Sequence, residues 1–400
     1  MSAQKQELQE LDRISILFQL GFRPFFLGAG MIAVLFMILW TASYSFGWAH
    51  SFPKMSSIHW HAHEMLYGYA MAVIAGFLLT AVCNWTGQPA LQGTRLMLPF
   101  LLWLAARLAS MLDLAVSPWL MLVCDLGFWV LLSVAVMKPI LKVRQWRQSG
   151  ILAKLLLLGF SNFAFYAGIM GWFADGIRWG LYGGLYLIIG LVLTMGRRVI
   201  PFFTERGVGY SVELKNSNWL DLCGIVIFLF FFAWELLFPG SDYSAHFALA
   251  LFAIHAIRIS GWLTPGIWKK PLLWSLFAAY LFMISGFLLH AGTHYFGWNP
   301  FLAVHAFAMG GIGLISLSMM ARVSFGHSGR SIHEPPSNLT YSLALLISGV
   351  IFRVFFPLLW PEEYLTWIAL AQVFWILAFG IFLLLYYPIL TRPRIDGIPG

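Results

Sequence analysis

Apolar runs of about 20 residues recur along the chain with short polar breaks between them, and a run of that length crosses a bilayer as a helix. They lie near 25–46, 62–83, 95–112, 117–137, 151–173, 178–198, 219–238, 244–263, 271–291, 300–321, 339–359 and 364–387. The pattern predicts an all-α polytopic membrane bundle of about 12 transmembrane helices. The third run is short, and the breaks at 173–178 and 359–364 are tight. One transmembrane domain therefore spans 25–387, with a cytoplasmic or interfacial segment at 1–24 and a cytoplasmic tail at 388–400. In LFQLGFRPFFLG, Pro24 is expected to start the first helix and Arg23 to reach lipid headgroups. The loop at 196–218 exceeds a simple connection, which predicts a short interfacial helix inside it. The more basic loop at 138–150 reads as a topological anchor.

Composition agrees with the pattern. The chain is 60% hydrophobic and 10% charged, with mean hydropathy +0.80, whereas a soluble domain carries roughly 25% charged residues. The formal net charge of +8 is dispersed through loops, with no basic run interleaved with aromatics, so nucleic acid is not a predicted partner and membrane lipids are. The start, MSAQKQELQELDR, lacks the apolar stretch and cleavage site of a signal peptide, so the first run is expected to stay as a helix. Cys83, Cys124 and Cys223 are far apart and form neither a CxxC nor a CxxCH pattern.

Lysine and arginine positions test the layout independently. With a cytoplasmic N-terminus, inside segments hold twenty of them and outside segments only Lys54, Arg107 and Arg178, with Arg353 in the eleventh run. This positive-inside asymmetry predicts that both termini are cytoplasmic.

The same layout gathers the histidines. His59, His61 and His63 precede the apolar part of the second helix in HWHAHEMLYGYAMAVIAG, His246, His290 and His294 fall at outer ends, and His305 opens the tenth helix. His255 lies near mid-membrane, and His50, His327 and His333 lie apart. A polar side chain in hydrocarbon is costly, and imidazole ligates haem iron and copper. On a helix starting near Ser57, His61 lines up with Gly68, Ala72 and Gly76, a flat strip against which a haem could rest. His305 is followed by Met309 and Gly313, again leaving space for a flat ring. Candidate metal ligands are His61, His63, His255 and His305, with His290 and His327 as further candidates, whereas hydrogen bonding across helices is the favoured role of His246, His290 and His294. Glu64 either orients a ligating histidine or caps its helix. Asp125 and Glu235 either relay protons or pair with neighbours. His327 and Arg330 fall in a turn-rich cytoplasmic loop at 327–338, where they could hold an anion.

Four segments, HWHAHEMLYGYAMAVIAGFLLTAVCNWTGQP at 59–89, GRRVIPFF at 196–203, HAIR at 255–258 and HAFAMGGIGLISLSMMARVSFGHSGR at 305–330, resemble the signature segments of the NnrS family. Cys83 stands where that family often has proline. The resemblance implies a bacterial inner-membrane protein of about twelve helices that contains haem and copper and acts in nitric oxide metabolism or nitrosative-stress tolerance. It places His61, His63, His255, His305 and His327 on the family's motif histidines. Haem–copper oxidases offer a more distant, architectural likeness, because they hold a haem between histidines of their second and tenth helices. His61 or His63 is then expected to pair with His305 as haem ligands at the same depth, and His255 with His290 or another nearby histidine to hold copper, although the adjacent histidine pair of the oxidase copper site is missing here. Nitric oxide or a nitrosyl species is then the small-molecule partner of a redox-active protein. The rival expectation is a transporter or channel for a metal ion or small solute with an intramembrane histidine pathway. The charge asymmetry itself is testable. A fluorescent protein fused to the C-terminus should fluoresce in cells, and alkaline phosphatase fused there should stay inactive, whereas active phosphatase would invert the topology.

Overall fold

The computed structural model describes residues 13–48 and 54–398. Lys5 and His50, which enter the charge and histidine readings, lie outside the described residues. Among the described residues the chain is helical, with no strand. Numbered in chain order, the membrane-length helices begin with α1 (Phe22–Tyr44), α2 (Ser57–Thr86), α3 (Thr94–Ser110), α4 (Ser117–Lys142), α5 (Trp146–Ile169) and α6 (Gly176–Gly207). They continue with α7 (Asn218–Leu237), α8 (Asp242–Ser260), α9 (Pro271–Phe296), α10 (Pro300–His327), α11 (Ser337–Leu359) and α12 (Pro361–Leu390). Eleven are long and apolar enough to cross a membrane. The other, α3, has 17 residues and is the run that the sequence already marks as short.

The elements start and stop for local reasons. Ser56 caps α2 by accepting the His59 backbone N–H. Gly87 ends α2 and Gly297 ends α9, each in the left-handed conformation that glycine adopts without strain. Within α2 the chain opens into a wider π-helical stretch at Glu64–Ala70, and α10 does the same at Ala306–Gly313. Each stretch begins on the residue after a histidine, His63 in one case and His305 in the other.

Two expectations change. The loop at 196–218 holds no separate interfacial helix, because α6 runs on to Gly207. Its 32 residues span about 48 Å, well beyond a hydrocarbon core of about 30 Å, so the basic stretch around Arg197 and Arg206 lies past the core. Arg23 does not reach headgroups either. It is fully buried, and its Nη1 donates to the carbonyls of Ile389, Leu390 and Arg392 at 3.3, 3.0 and 2.9 Å. The end of a helix leaves carbonyls unpaired, and a guanidinium satisfies them at favourable polarity.

The chain divides into two compact units. The first takes the chain up to Gly184 with Met319–Leu339 and the stretch from Phe379 on, and the second takes Leu185–Ser318 with Thr340–Ala378. In the first unit, α4 packs on α5 where Gly159 faces Trp129, whose indole N–H donates to the Leu155 carbonyl at 2.8 Å. A Cβ at Gly159 would stand inside that ring. Gly159→Ala should therefore cost ~1–3 kcal/mol through overpacking, read as a lowered thermal midpoint of the purified protein in detergent.

Candidate functional site: a buried ion cluster and two histidine clusters

Three successive helices of the first unit each bring one charge into the interior. Glu64 comes from α2, Arg107 from α3 and Asp125 from α4, and none is more than 1% exposed. Arg107 donates from Nη2 to both Asp125 oxygens at 2.7 Å, and its Nη1 lies 2.9 Å from Glu64 Oε2. From α5, Tyr166 donates its hydroxyl to Asp125 Oδ2 at 2.6 Å. His63 closes the cluster. Its Nδ1 is 3.1 Å from Glu64 Oε1 and its Nε2 is 3.0 Å from Asn162 Oδ1, while its ring stacks on Phe165.

This cluster explains Gly68. A Cβ there would lie 2.7 Å from Arg107 Nη1 and 3.0 Å from Glu64 Oε2, so the missing side chain makes room for the ion pair. The strip that the sequence offers to a flat ligand is filled by protein along its length. Phe26 and Phe25 face Gly76, and Ala72 is fully buried. The π-helical stretch is the physical reason. It widens the turn between His61 and Gly68, so a face drawn at 3.6 residues per turn no longer applies. His61 lies half-buried away from the cluster, its ring stacked on Trp40 at 4.4 Å with 9° between planes.

In the second unit, His305 is half-buried and donates its Nδ1 proton to the Phe301 carbonyl at 2.8 Å. A carbonyl only accepts, so the lone pair sits on Nε2. The space near Gly313 is taken by Trp375, and Phe282 and Met283 face Gly310 and Gly311. His255 is 2% exposed, and its Nδ1 meets Arg258 Nη1 at 2.9 Å and the Tyr280 hydroxyl at 2.7 Å. Guanidinium only donates, so Nδ1 carries the lone pair and Nε2 the proton. Arg258 goes on to the Leu220 carbonyl and Asp221, both at 2.9 Å, and Asp221 also pairs with Arg197.

The second histidine cluster of this unit joins Glu235, His290 and His294, each offering one donor atom within 4.8 Å of the others. His255 is not part of it, and its ring stacks instead on Phe287. His246 is exposed and bonds the Asp242 carbonyl of its own helix. In the first unit, His327 ends α10 with its ring near Phe22, and its carbonyl accepts from Arg394. The Arg394 guanidinium lies on Asp396 and holds that carboxyl down at about 2. Arg107, Asn162 and Tyr166 are the residues that sequence reasoning misses. The available signal is that Glu64, Arg107 and Asp125 sit at matching depth in consecutive helices.

These features define an all-helical, multi-pass membrane protein that carries a buried Glu64–Arg107–Asp125 ion cluster and, among its described residues, a Glu235–His290–His294 group. The chain belongs to the NnrS family, whose model, described as NnrS protein, matches residues 16–394. No curated protein matches the chain.

The cluster around Arg107 makes a sharp demand on stability. Arg107→Leu leaves two buried carboxylates without their cation and should cost about 3–5 kcal/mol. Adding Glu64→Gln and Asp125→Asn should restore part of the loss, measured as the thermal midpoint and the yield of monodisperse protein.

Proposed function

We propose that this chain is a haem- and copper-binding protein of a bacterial inner membrane, acting in nitric oxide metabolism or defence against nitrosative stress. Membership of the NnrS family supports the reading. The observation that carries the haem assignment is the bonding of His305: its Nδ1–H is spent on the Phe301 carbonyl, which leaves Nε2 in the form that ligates iron. His61 fits on exposure and orientation, being half-buried with its ring plane fixed by Trp40. His63 does not fit, because both ring nitrogens are held inside the ion cluster. Nor do the glycine-lined faces at Gly68 and Gly313 fit a porphyrin, since protein side chains occupy them.

Haem, held by His305 and His61, would supply an iron able to coordinate a diatomic gas and exchange one electron. The residues of the chain fix the imidazoles, His305 through the Phe301 carbonyl and His61 through stacking on Trp40. Copper requires an imidazole lone pair, and His255 as bonded here presents an N–H instead. The His290 cluster is the better place to look for a second metal.

Reduced and oxidised absorption spectra of the purified protein, made with ample haem, test the reading. His305→Ala and His61→Ala should each remove at least about nine-tenths of the Soret absorbance per chain, and the exposed His246→Ala should leave it unchanged. A protein that never shows a Soret band favours the transport reading, and unchanged bands in both variants overturn the haem assignment.

A further inference from the structure

We propose that Glu235, His290 and His294 form a two-histidine, one-carboxylate site for a divalent first-row transition ion of the zinc or iron(II) type. The site lies in the second unit, at the C-terminal ends of α7 and α9 and the N-terminal end of α8. It does not depend on the haem reading.

The donors converge because of where the helices put them. His290 and His294 are one turn apart on α9, so their rings leave the same face. Ser244 Oγ, on α8, lies 3.2 Å from His290 Nε2 and 3.3 Å from His294 Nε2. Both Nε2 atoms therefore point at one place. Glu235 Oε1, on α7, is 3.3 Å from His290 Nε2. Bonds of about 2.0–2.2 Å at near-tetrahedral angles put neighbouring ligand atoms roughly 3.4 Å apart. The spacing here already has that scale, and small side-chain rotations would admit an ion.

Each donor is also oriented from behind. Tyr186, on α6, donates its hydroxyl to Glu235 Oε2 at 3.1 Å, which leaves Oε1 facing the histidines. Asp242 Oδ1 lies 3.4 Å from His294 Nδ1, where a carboxylate favours the proton on Nδ1 and the lone pair on Nε2. The Glu235 and His290 side chains are 13% and 12% exposed, so an ion can enter and is still shielded from bulk water.

The donor set selects the metal. Two imidazoles and one carboxylate suit zinc, iron(II) and copper(II), while copper(I) prefers sulfur, and calcium and magnesium prefer all-oxygen shells. Three protein ligands leave a position open, and the Ser244 hydroxyl stands beside it. A metal-free network is the rival account of the same contacts: Ser244 passes its own proton to the Ser241 carbonyl and can accept from either imidazole. Metal binding separates the two accounts.

The experiment uses the full-length protein in detergent, stripped with chelator and titrated with zinc and then with cobalt(II) as a spectroscopic substitute. One equivalent should be retained, with cobalt giving the visible bands of a low-coordinate nitrogen–oxygen site. Glu235→Gln and the paired His290→Ala/His294→Ala change should weaken retention about 100-fold or more. Tyr186→Phe should weaken it by 10–100-fold, as for other groups that orient metal ligands, and His246→Ala should not. Circular dichroism and the Soret band report folding and haem separately, so loss of this site with haem intact is readable. No cobalt bands in the wild-type protein, or equal stoichiometry in the wild-type protein and the paired histidine variant, overturns the site in favour of the metal-free network.

Discussion

A charge inside a hydrocarbon slab has nowhere to go for water, so it must be met by another part of the chain. In the first unit that requirement is discharged by one guanidinium between two carboxylates. Arg107 holds Glu64 and Asp125 together, and with them α2, α3 and α4. Tyr166 and Asn162 extend the grip to α5. A pairing of this kind adds little net stability over a well-packed apolar core, but it penalises every other register of the helices heavily. Sliding α3 by one turn would strand three charges at once. Several local features then follow from the pair, including the bare face of Gly68 and the indole N–H of Trp103 on the Gly68 carbonyl at 2.9 Å.

The second unit meets the same requirement in two ways. Around Asp221 the charges saturate one another: Arg258 reaches a carboxylate, a carbonyl, an imidazole and a phenol. Around Glu235 they do not saturate. There the carboxylate meets the Tyr186 phenol and the His290 imidazole, and the Nε2 atoms of His290 and His294 share the Ser244 hydroxyl, so the partners supply no second fixed charge. That contrast separates a structural histidine from a ligand better than depth in the membrane does. His63 and His255 are the most deeply buried of the candidates and the most thoroughly engaged. The half-buried His305 and the exposed His246 each donate Nδ1–H to a carbonyl of their own helix.

Hydropathy made the helices legible because it is a local sum over about 20 residues that needs no knowledge of neighbours. The runs read from the chain coincide with α1 to α12 apart from their ends. What changed were the readings that assumed a regular helical face or a solvent-facing arginine, whereas the expected neighbours of Glu64, Asp125 and Glu235 are present. Arg107 was counted among loop charges, since an arginine near a helix end ordinarily serves topology, yet it is 1% exposed. The alignment of His61 with Gly68 assumed a uniform turn, and the wider stretch at Glu64–Ala70 breaks it. Matching opposite charges at equal depth would have found the Arg107 cluster. Nothing comparable points to Ser244 or Tyr186, whose roles exist only once four helices are packed.

Of the three π-helical stretches among the described residues, Glu64–Ala70, Ala306–Gly313 and Ile351–Phe355, the first two bear on how a cofactor could be held. Such stretches often mark functional positions, and these two each begin directly after a candidate histidine. Their small residues nevertheless face protein in both places: Arg107 and Glu64 at Gly68, Phe282 at Gly310 and Trp375 at Gly313. The widened turns thus serve helix packing, allowing bulky or charged neighbours to approach the backbone. A flat ring leaning on an exposed glycine strip is therefore the wrong picture of recognition in this chain. Under the proposed reading, binding comes from side-chain donors at the helix ends, which demands fixed tautomers and exposure together. His305 meets that demand through the Phe301 carbonyl, and His294 through the carboxylate of Asp242. A carbonyl or carboxylate behind the ring, not the histidine count, sets which nitrogen of an imidazole can ligate.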